Sequence, residues 1–348
     1  MMMRFLRYPP PRKSDVVTRA VVLPYFGGPE VLELQHNKRL RVLEPNEVLV
    51  RTHAASINSL DIRLRSGYGG SILKHILPFT MGSDVSGEVA KVGSSVRKLK
   101  VGQQVFGASY SGGTWADYCI LSEDELATKP PSITHVEACA IPFAAATARN
   151  ALKSVGKGDR VLVLGGGGSV GFAAIQLAVA SGCHVTATSG SHGIDRILAA
   201  GAEQAVDHTV LEDIKLAIKG RFDVVIDTIG APKTEKIGIN VLDKGGRYTK
   251  LENGVITSSD RYGMWLGIPM AAPLLLKKKI DYLISHRIEY SHFSVVVDAL
   301  GLEEVRRLTE AGKLKIPVEK TFPIAQVREA HEAKDKMDIP GKVVLEFD

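Results

Sequence analysis

Cysteine is scarce in this chain. Cys119, Cys139 and Cys183 are the whole supply, an odd number at wide spacing that suits neither a disulfide framework nor a paired CxxC metal clip. A reducing compartment and no structural zinc are the expectation. Uncharged apolar runs are short as well: none reaches the roughly 18 residues that a membrane-spanning helix needs. The longest, Tyr262 to Leu276, is interrupted by Pro269 and Pro273, so it reads as a broken pattern that lines a pocket or a subunit contact. Membrane-surface contact is the alternative, because Lys277, Lys278 and Lys279 follow it and apolar residues flanked by lysines suit an interface. Neither sign of charge dominates, since 44 Lys and Arg against 38 Asp and Glu leave +6. The basic residues are dispersed and accompany no stacking-aromatic motif, which argues against a nucleic-acid partner.

What remains is the balance of an ordinary globular protein, with 45% hydrophobic and 24% charged residues in 348, a length that favours two domains. Disorder is excluded by the apolar content. Residues 1–18 form a basic segment, with Arg4, Arg7, Arg12 and Lys13 against the single acid Asp15. That bias resembles a mitochondrial transit segment; a cytoplasmic protein with a ragged basic terminus is the alternative.

From 19 to 139 short β-rich runs (Val21–Leu23, Val48–Val50, Val85–Val92, Tyr118–Ile120) alternate with turn residues, the spacing of an all-β barrel or sandwich. Between 140 and 312 the rhythm becomes strand, helix, strand: strands at Arg160–Leu164, His184–Thr188 and Phe222–Ile226, helices at Val170–Ala180 and Asp195–Ala200. Such alternation implies a parallel sheet with helices on both faces. From 313 to 348 strand-like text returns, Val343–Leu345 included.

The sharpest local signal is the run Gly165–Gly168 followed by Ser169, Val170 and Gly171, which lies between a strand and a helix. Gly166, Gly168 and Gly171 fit the G-x-G-x-x-G spacing, in which the glycines permit a tight turn, close approach to a pyrophosphate, and close helix–strand packing. The second strand, about 20 residues on, has no acid at its end to hold a ribose 2′-hydroxyl. Thr188, Ser189, Gly190, Ser191 and His192 stand there instead, with Arg196 beyond. Hydroxyls and cations suit a 2′-phosphate, so NADPH is the expected cofactor.

Five blocks in order resemble the medium-chain dehydrogenase/reductases, specifically their zinc-independent quinone oxidoreductase branch. They are Ala54 to Asp61, Met81 to Gly87 with Val101 to Val105 behind it, the glycine loop, Gly201-Ala202, and Gly341 to Leu345. Within that branch the stretch His53 to Gly69 and the region of His208 are most similar to mitochondrial reticulon-interacting oxidoreductases. The resemblance implies an α/β protein: a GroES-like β-barrel catalytic domain over 19–139, a Rossmann doubly wound parallel sheet over 140–312, and a return to the catalytic domain over 313–348. Zinc-dependent relatives supply Cys and Gly-His-Glu where this chain has Asn58 and Gly82-Ser83-Asp84, and amide and hydroxyl do not replace thiolate and imidazole. No catalytic metal is expected. By position the resemblance assigns Gly167, Ser169 and Val170 to the pyrophosphate, Ser189 and Gly190 to the ribose phosphate, and His208 to the adenosine. It also places Thr228, Thr249 and Leu251 by ribose and nicotinamide, and Thr147 at the start of the helix that links the domains.

Without a Lewis acid, hydride transfer from NADPH to a quinone or a conjugated enone is the natural chemistry, because the acceptor is already activated. Asn58 is the first candidate donor to the acceptor oxygen, with a turn cap as its alternative role, and Tyr68 is a second donor or proton source. Asp61 and Lys342 give no separate signal. A regulatory or scaffold protein that binds NADPH and acts through a protein partner is the rival reading, and homodimerism is implied only by the resemblance.

Overall fold

The computed structural model describes residues 13–209, 217–336 and 341–348. Most of the basic N-terminal segment falls outside them. Three sheets organise the described chain. β1 (Lys13–Leu23) sits between β2 (Glu33–Arg41) and the short β4 (Phe79–Thr80). β3 (Glu47–Ile57), β5 (Asp84–Val92), β6 (Gln104–Ala108), β7 (Tyr118–Ser122) and β8 (Leu126–Thr128) form the main antiparallel sheet. Each β-rich run read from the sequence lies in one of these strands. Val21, Leu23, Ala55, Ile57, Met81 and Trp115 bury together on the inner side of the two sheets.

The second unit is a parallel sheet of β9 (Arg160–Leu164), β10 (His184–Ser189), β11 (Gln204–Asp207), β12 (Phe222–Asp227), β13 (Leu242–Leu251) and β14 (Glu289–Phe293). Its strands run in the order β11-β10-β9-β12-β13-β14, so the direction of winding reverses between β9 and β12. Alternate residues of β9 explain why it is apolar throughout: Val161 and Val163 face one helical layer, Leu162 and Leu164 the other. Both faces of a parallel sheet are covered, and strands buried twice read as continuous hydrophobic runs.

β15 (Val318–Pro323) and β16 (Lys342–Glu346) then rejoin the first unit, with β16 pairing antiparallel to β3 from Val343↔Ile57 to Glu346↔Ala54. The helix Pro142–Ala151, rich in alanine and buried along most of its length, joins the units.

One expectation fails. From Met264 on, the window that Pro269 and Pro273 were expected to break lies in a continuous 23-residue helix, Met264–His286, with both prolines inside it. A proline removes one N–H and frees the carbonyl four residues earlier. Here those carbonyls belong to Trp265 and Pro269, which are exposed, so water can satisfy them.

Candidate active site

The carboxyl ends of the parallel strands gather one row of candidate residues. β9 runs into the glycine loop, where Gly165 takes φ 85° and donates its N–H to Thr188 Oγ1 at 3.1 Å. Gly166 N–H donates to the Thr188 carbonyl at 2.7 Å, which fastens the loop to the end of β10. Gly168 then caps the helix Ser169–Ala180. Gly171 lies against the loop, and a Cβ there would stand 2.2 Å from the Gly165 carbonyl oxygen. A Cβ on Gly168 would approach nothing closer than that same oxygen at 3.6 Å. Gly168 therefore leaves room without a clash where Gly167, Ser169 and Val170 turn into the helix, whose first N–H groups suit an anion.

Ser189 ends β10, Gly190 leads out of it, and exposed His192 follows in a single turn. His208 N–H donates to the Ser189 carbonyl at 3.0 Å, which holds the end of β11 beside them. Thr228 Oγ1 donates to the Leu164 and Gly165 carbonyls at 2.9 and 3.2 Å, directly under the loop. Thr249 and Leu251 end β13. Thr147 Oγ1 donates to the Phe143 carbonyl at 2.7 Å within its helix. This edge, at the winding reversal, is where open α/β sheets bind ligands, and its residues fit a dinucleotide.

Two charged groups sit there differently from the sequence reading. Arg196 turns away to an ion pair with Glu319. Asp207, at the end of β11, brings an acid to the neighbourhood of Ser191: its Oδ1 accepts from Thr209 N and Oγ1 at 2.8 and 2.6 Å, and that hydroxyl lies 2.8 Å from Ser191 Oγ. Bonds from the Ser191 and Thr209 hydroxyls hold its carboxyl down at about 2. The acid was missed because it belongs to the next strand.

Beyond the strand ends lies a cavity of about 410 Å³, walled by Leu60, Leu64, Ile72, Leu73, Ile76, Phe79, Met81 and Phe143 from the first unit and its linking helix, and by Val255, Ile256 and Ile268 from the second. Its polar atoms are few. Asp61, Ser83, Tyr110, Ser111 and Asn253 supply the side chains, and Asn253 Nδ2 donates to Tyr110 Oη at 3.1 Å, which leaves the phenolic proton to donate elsewhere. Burial pushes the Tyr110 phenol up, so it stays protonated at neutral pH.

Asn58 and Tyr68 do not belong to that wall. Asn58 precedes the helix Ser59–Arg65, and its N–H donates to Asp61 Oδ2 at 2.7 Å. Its side chain joins a buried knot in which Lys342 Nζ donates to Asp84 Oδ2 at 2.8 Å, Ser56 Oγ at 2.8 Å and Asn58 Oδ1 at 2.6 Å. Asn58 Nδ2 and Ser56 Oγ also donate to Asp84 Oδ2, at 2.9 and 2.6 Å. The other Asp84 oxygen accepts from Phe143 N at 2.8 Å. Tyr68 stacks under Arg63, whose guanidinium carbon is 4.0 Å from the ring centre, and its hydroxyl bonds to Thr257. Next to it, Asp260 accepts from Gly69 N and Ser71 N at 2.7 and 3.1 Å, clamping the first unit to the second over the cavity.

A barrel-type unit joined to a dinucleotide sheet, with an apolar cavity at their junction, defines a nicotinamide-dependent oxidoreductase. Residues 44–131 match the alcohol dehydrogenase GroES-like domain and residues 200–345 the zinc-binding dehydrogenase family. The chain is 32% identical to the mitochondrial NAD(P)H oxidoreductase RTN4IP1 of Mus musculus, across 95% of this chain and 89% of that protein. It is 33% identical to a 2-methylene-furan-3-one reductase of Solanum lycopersicum, across 84% and 76%. The solved quinone oxidoreductase of Coxiella burnetii superposes with a TM-score of 0.79 at 28% identity, covering 96% of this chain and all of that one. The chain belongs to the medium-chain dehydrogenase/reductase superfamily and is an NAD(P)H oxidoreductase of that family.

The zinc named in the second family description does not fit these residues. Where zinc-dependent relatives have Cys and His, Asn58, Ser83 and Asp84 stand, and the Lys342 ammonium already fills the centre of the Ser56, Asn58 and Asp84 oxygens. Among the described residues no three His, Cys, Asp or Glu side chains converge as a metal site.

Proposed function

We propose that the protein uses NADPH to reduce a quinone or a conjugated enone. The cavity carries this reading: a space of about 410 Å³ whose wall is almost wholly apolar, with a protonated phenol at Tyr110 as its best-placed donor. A flat, apolar, already electron-poor acceptor suits such a wall, and the names of the Coxiella burnetii and Solanum lycopersicum proteins point to the same acceptor classes. Bound NADPH supplies the hydride. The chain supplies position and charge stabilisation: Tyr110 donates to the oxygen on which negative charge develops, and Asn253 orients that phenol. Asn58 acts as a positioning residue, fixing with Asp84 and Lys342 the start of the helix that carries Leu60, Asp61 and Leu64 to the wall. At the other end of the cofactor, Ser189, Gly190 and His192 receive the 2′-phosphate. The relatives named mitochondrial support the same location for this protein.

Oxidation of NADPH followed against a panel of quinones and enones tests the reading. Turnover is expected with at least one class, and Tyr110→Phe is expected to lower kcat on the order of 10²–10³-fold with NADPH affinity unchanged. Binding of NADPH without turnover of any acceptor would transfer the site to the regulatory role.

A further inference from the structure

The helix Met264–His286 turns only one side to the protein, the side that buries Gly267 and Ala271. Its opposite side carries Trp265, Leu266, Leu276, Ile280, Leu283 and Ile284 into solvent, with Trp265 85% and Ile284 77% exposed. Steps of three and four residues along Trp265, Pro269, Pro273, Leu276, Ile280 and Leu283 place these groups in one stripe on the outer surface. A monomeric soluble surface rarely keeps so many large apolar side chains contiguous. Exposed Lys277 and Lys279 are 200° apart on the helical wheel at about 100° per residue, so they border the stripe on its two sides. Exposed Arg261 and Arg287 stand near its ends, with Asp281 as the acid of the helix. Lys278 points the other way, inward to Glu235 at 2.7 Å.

We infer that this helix seats the protein on an anionic lipid surface, its apolar stripe in the acyl–headgroup boundary and Lys277 and Lys279 on the lipid phosphates. Cations at both edges of an outward apolar stripe complement a negatively charged interface. A second copy of the chain fits less well. The lysines flank the stripe close to the middle of its length, so a two-fold contact would bring them toward their own equivalents. No helix of the described residues is long and apolar enough to cross a membrane, so the contact is with the surface. Ile268 of this same helix lines the cavity together with Val255 and Ile256, which sets one cavity wall against the proposed lipid. The docking rests on the helix alone and stands whichever acceptor the cavity takes.

The chain holds two tryptophans, buried Trp115 and exposed Trp265, so emission reports the contact. The full chain is mixed with vesicles of phosphatidylcholine alone or with about one-third phosphatidylglycerol. Cosedimentation and a blue shift of Trp265 emission are expected with the anionic vesicles. Trp265→Phe should abolish the shift while cosedimentation persists. Leu276→Glu with Ile280→Glu, and separately Lys277→Glu with Lys279→Glu, should each weaken binding roughly tenfold or more, with circular dichroism and NADPH binding unchanged as the check on folding. Wild-type protein that stays in solution with anionic vesicles overturns the inference. So does a vesicle-independent dimer that Leu276→Glu with Ile280→Glu dissolves, which assigns the stripe to a second copy.

Discussion

Asp61 is fully buried on the cavity wall, and burial raises its carboxyl to about 7 against the downward pull of the Asn58 N–H and the Lys342 ammonium. An unfolded aspartate titrates near 4. A group with a raised folded value supports folding fully below about pH 4, where both states hold the proton, and loses that contribution as pH climbs through about 7. Urea titrations between those values should therefore show wild type losing on the order of 2–4 kcal/mol more stability than Asp61→Asn. A parallel decline in the two proteins would place the ionised carboxyl in a better-solvated setting. Asp207 allows a second test. Its carboxylate, ionised at neutral pH and close to Ser191, opposes a 2′-phosphate more than a 2′-hydroxyl. Asp207→Asn is expected to raise the ratio of NADPH to NADH affinity in calorimetric titration, and an unchanged ratio would show that the carboxylate lies beyond the phosphate's reach. Neither acid announces itself in the sequence, since Asp61 acquires its raised titration from tertiary burial and Asp207 reaches Ser191 across a strand boundary.

The glycine loop separates two kinds of damage. Gly171→Ala drives a methyl group into the Gly165 carbonyl, an overpacking that should cost about 1–3 kcal/mol in stability. Gly168→Val places its Cβ in ordinary van der Waals contact with the Gly165 carbonyl oxygen at 3.6 Å, without a clash, so the melting temperature should hold while NADPH binding disappears through obstruction of the pyrophosphate. Thermal melts and titrations of both variants would show the split; a cofactor-competent Gly168→Val protein would refute the assignment of the loop to the pyrophosphate. This element was readable because its chemistry is local: strand, glycine spacing and helix follow one another within a few residues. The same holds for β9, β10 and β12, whose apolar runs coincide with the observed strands. The helix Met264–His286 was not readable as one piece. Proline signals a break in isolation, and only the outward placement of the freed carbonyls makes two prolines tolerable. Asn58 and Tyr68 stand between these cases. Their blocks were visible, yet the direction of each side chain depends on Lys342 and Thr257, far away in sequence.

At the scale of the whole molecule, the knot of Ser56, Asn58, Asp84 and Lys342 ties β3 and β5 to the last strand. Asp84 and Lys342 are both excluded from solvent. Removal of one partner strands the other charge, so Lys342→Met should destabilise the protein by about 3–5 kcal/mol, measurable as a shift of the urea midpoint. Replacing Asp84 by Asn together with Lys342→Met should recover part of that loss, and a double-variant loss equal to the sum of the two single losses would show that the pair carries no coupling. The β16 strand also bears on the order of events during synthesis. All six strands of the parallel sheet lie between 160 and 293, and the ribosome delivers them as one contiguous stretch. The main antiparallel sheet, begun at residue 47, must wait for residues 342–346 before Ala54–Ile57 of β3 gain their neighbour on that side. Stalled nascent chains ending near residue 335 should thus resist protease across 160–293 while β3 remains cleavable, a vectorial lag imposed by the return of the chain to where it began.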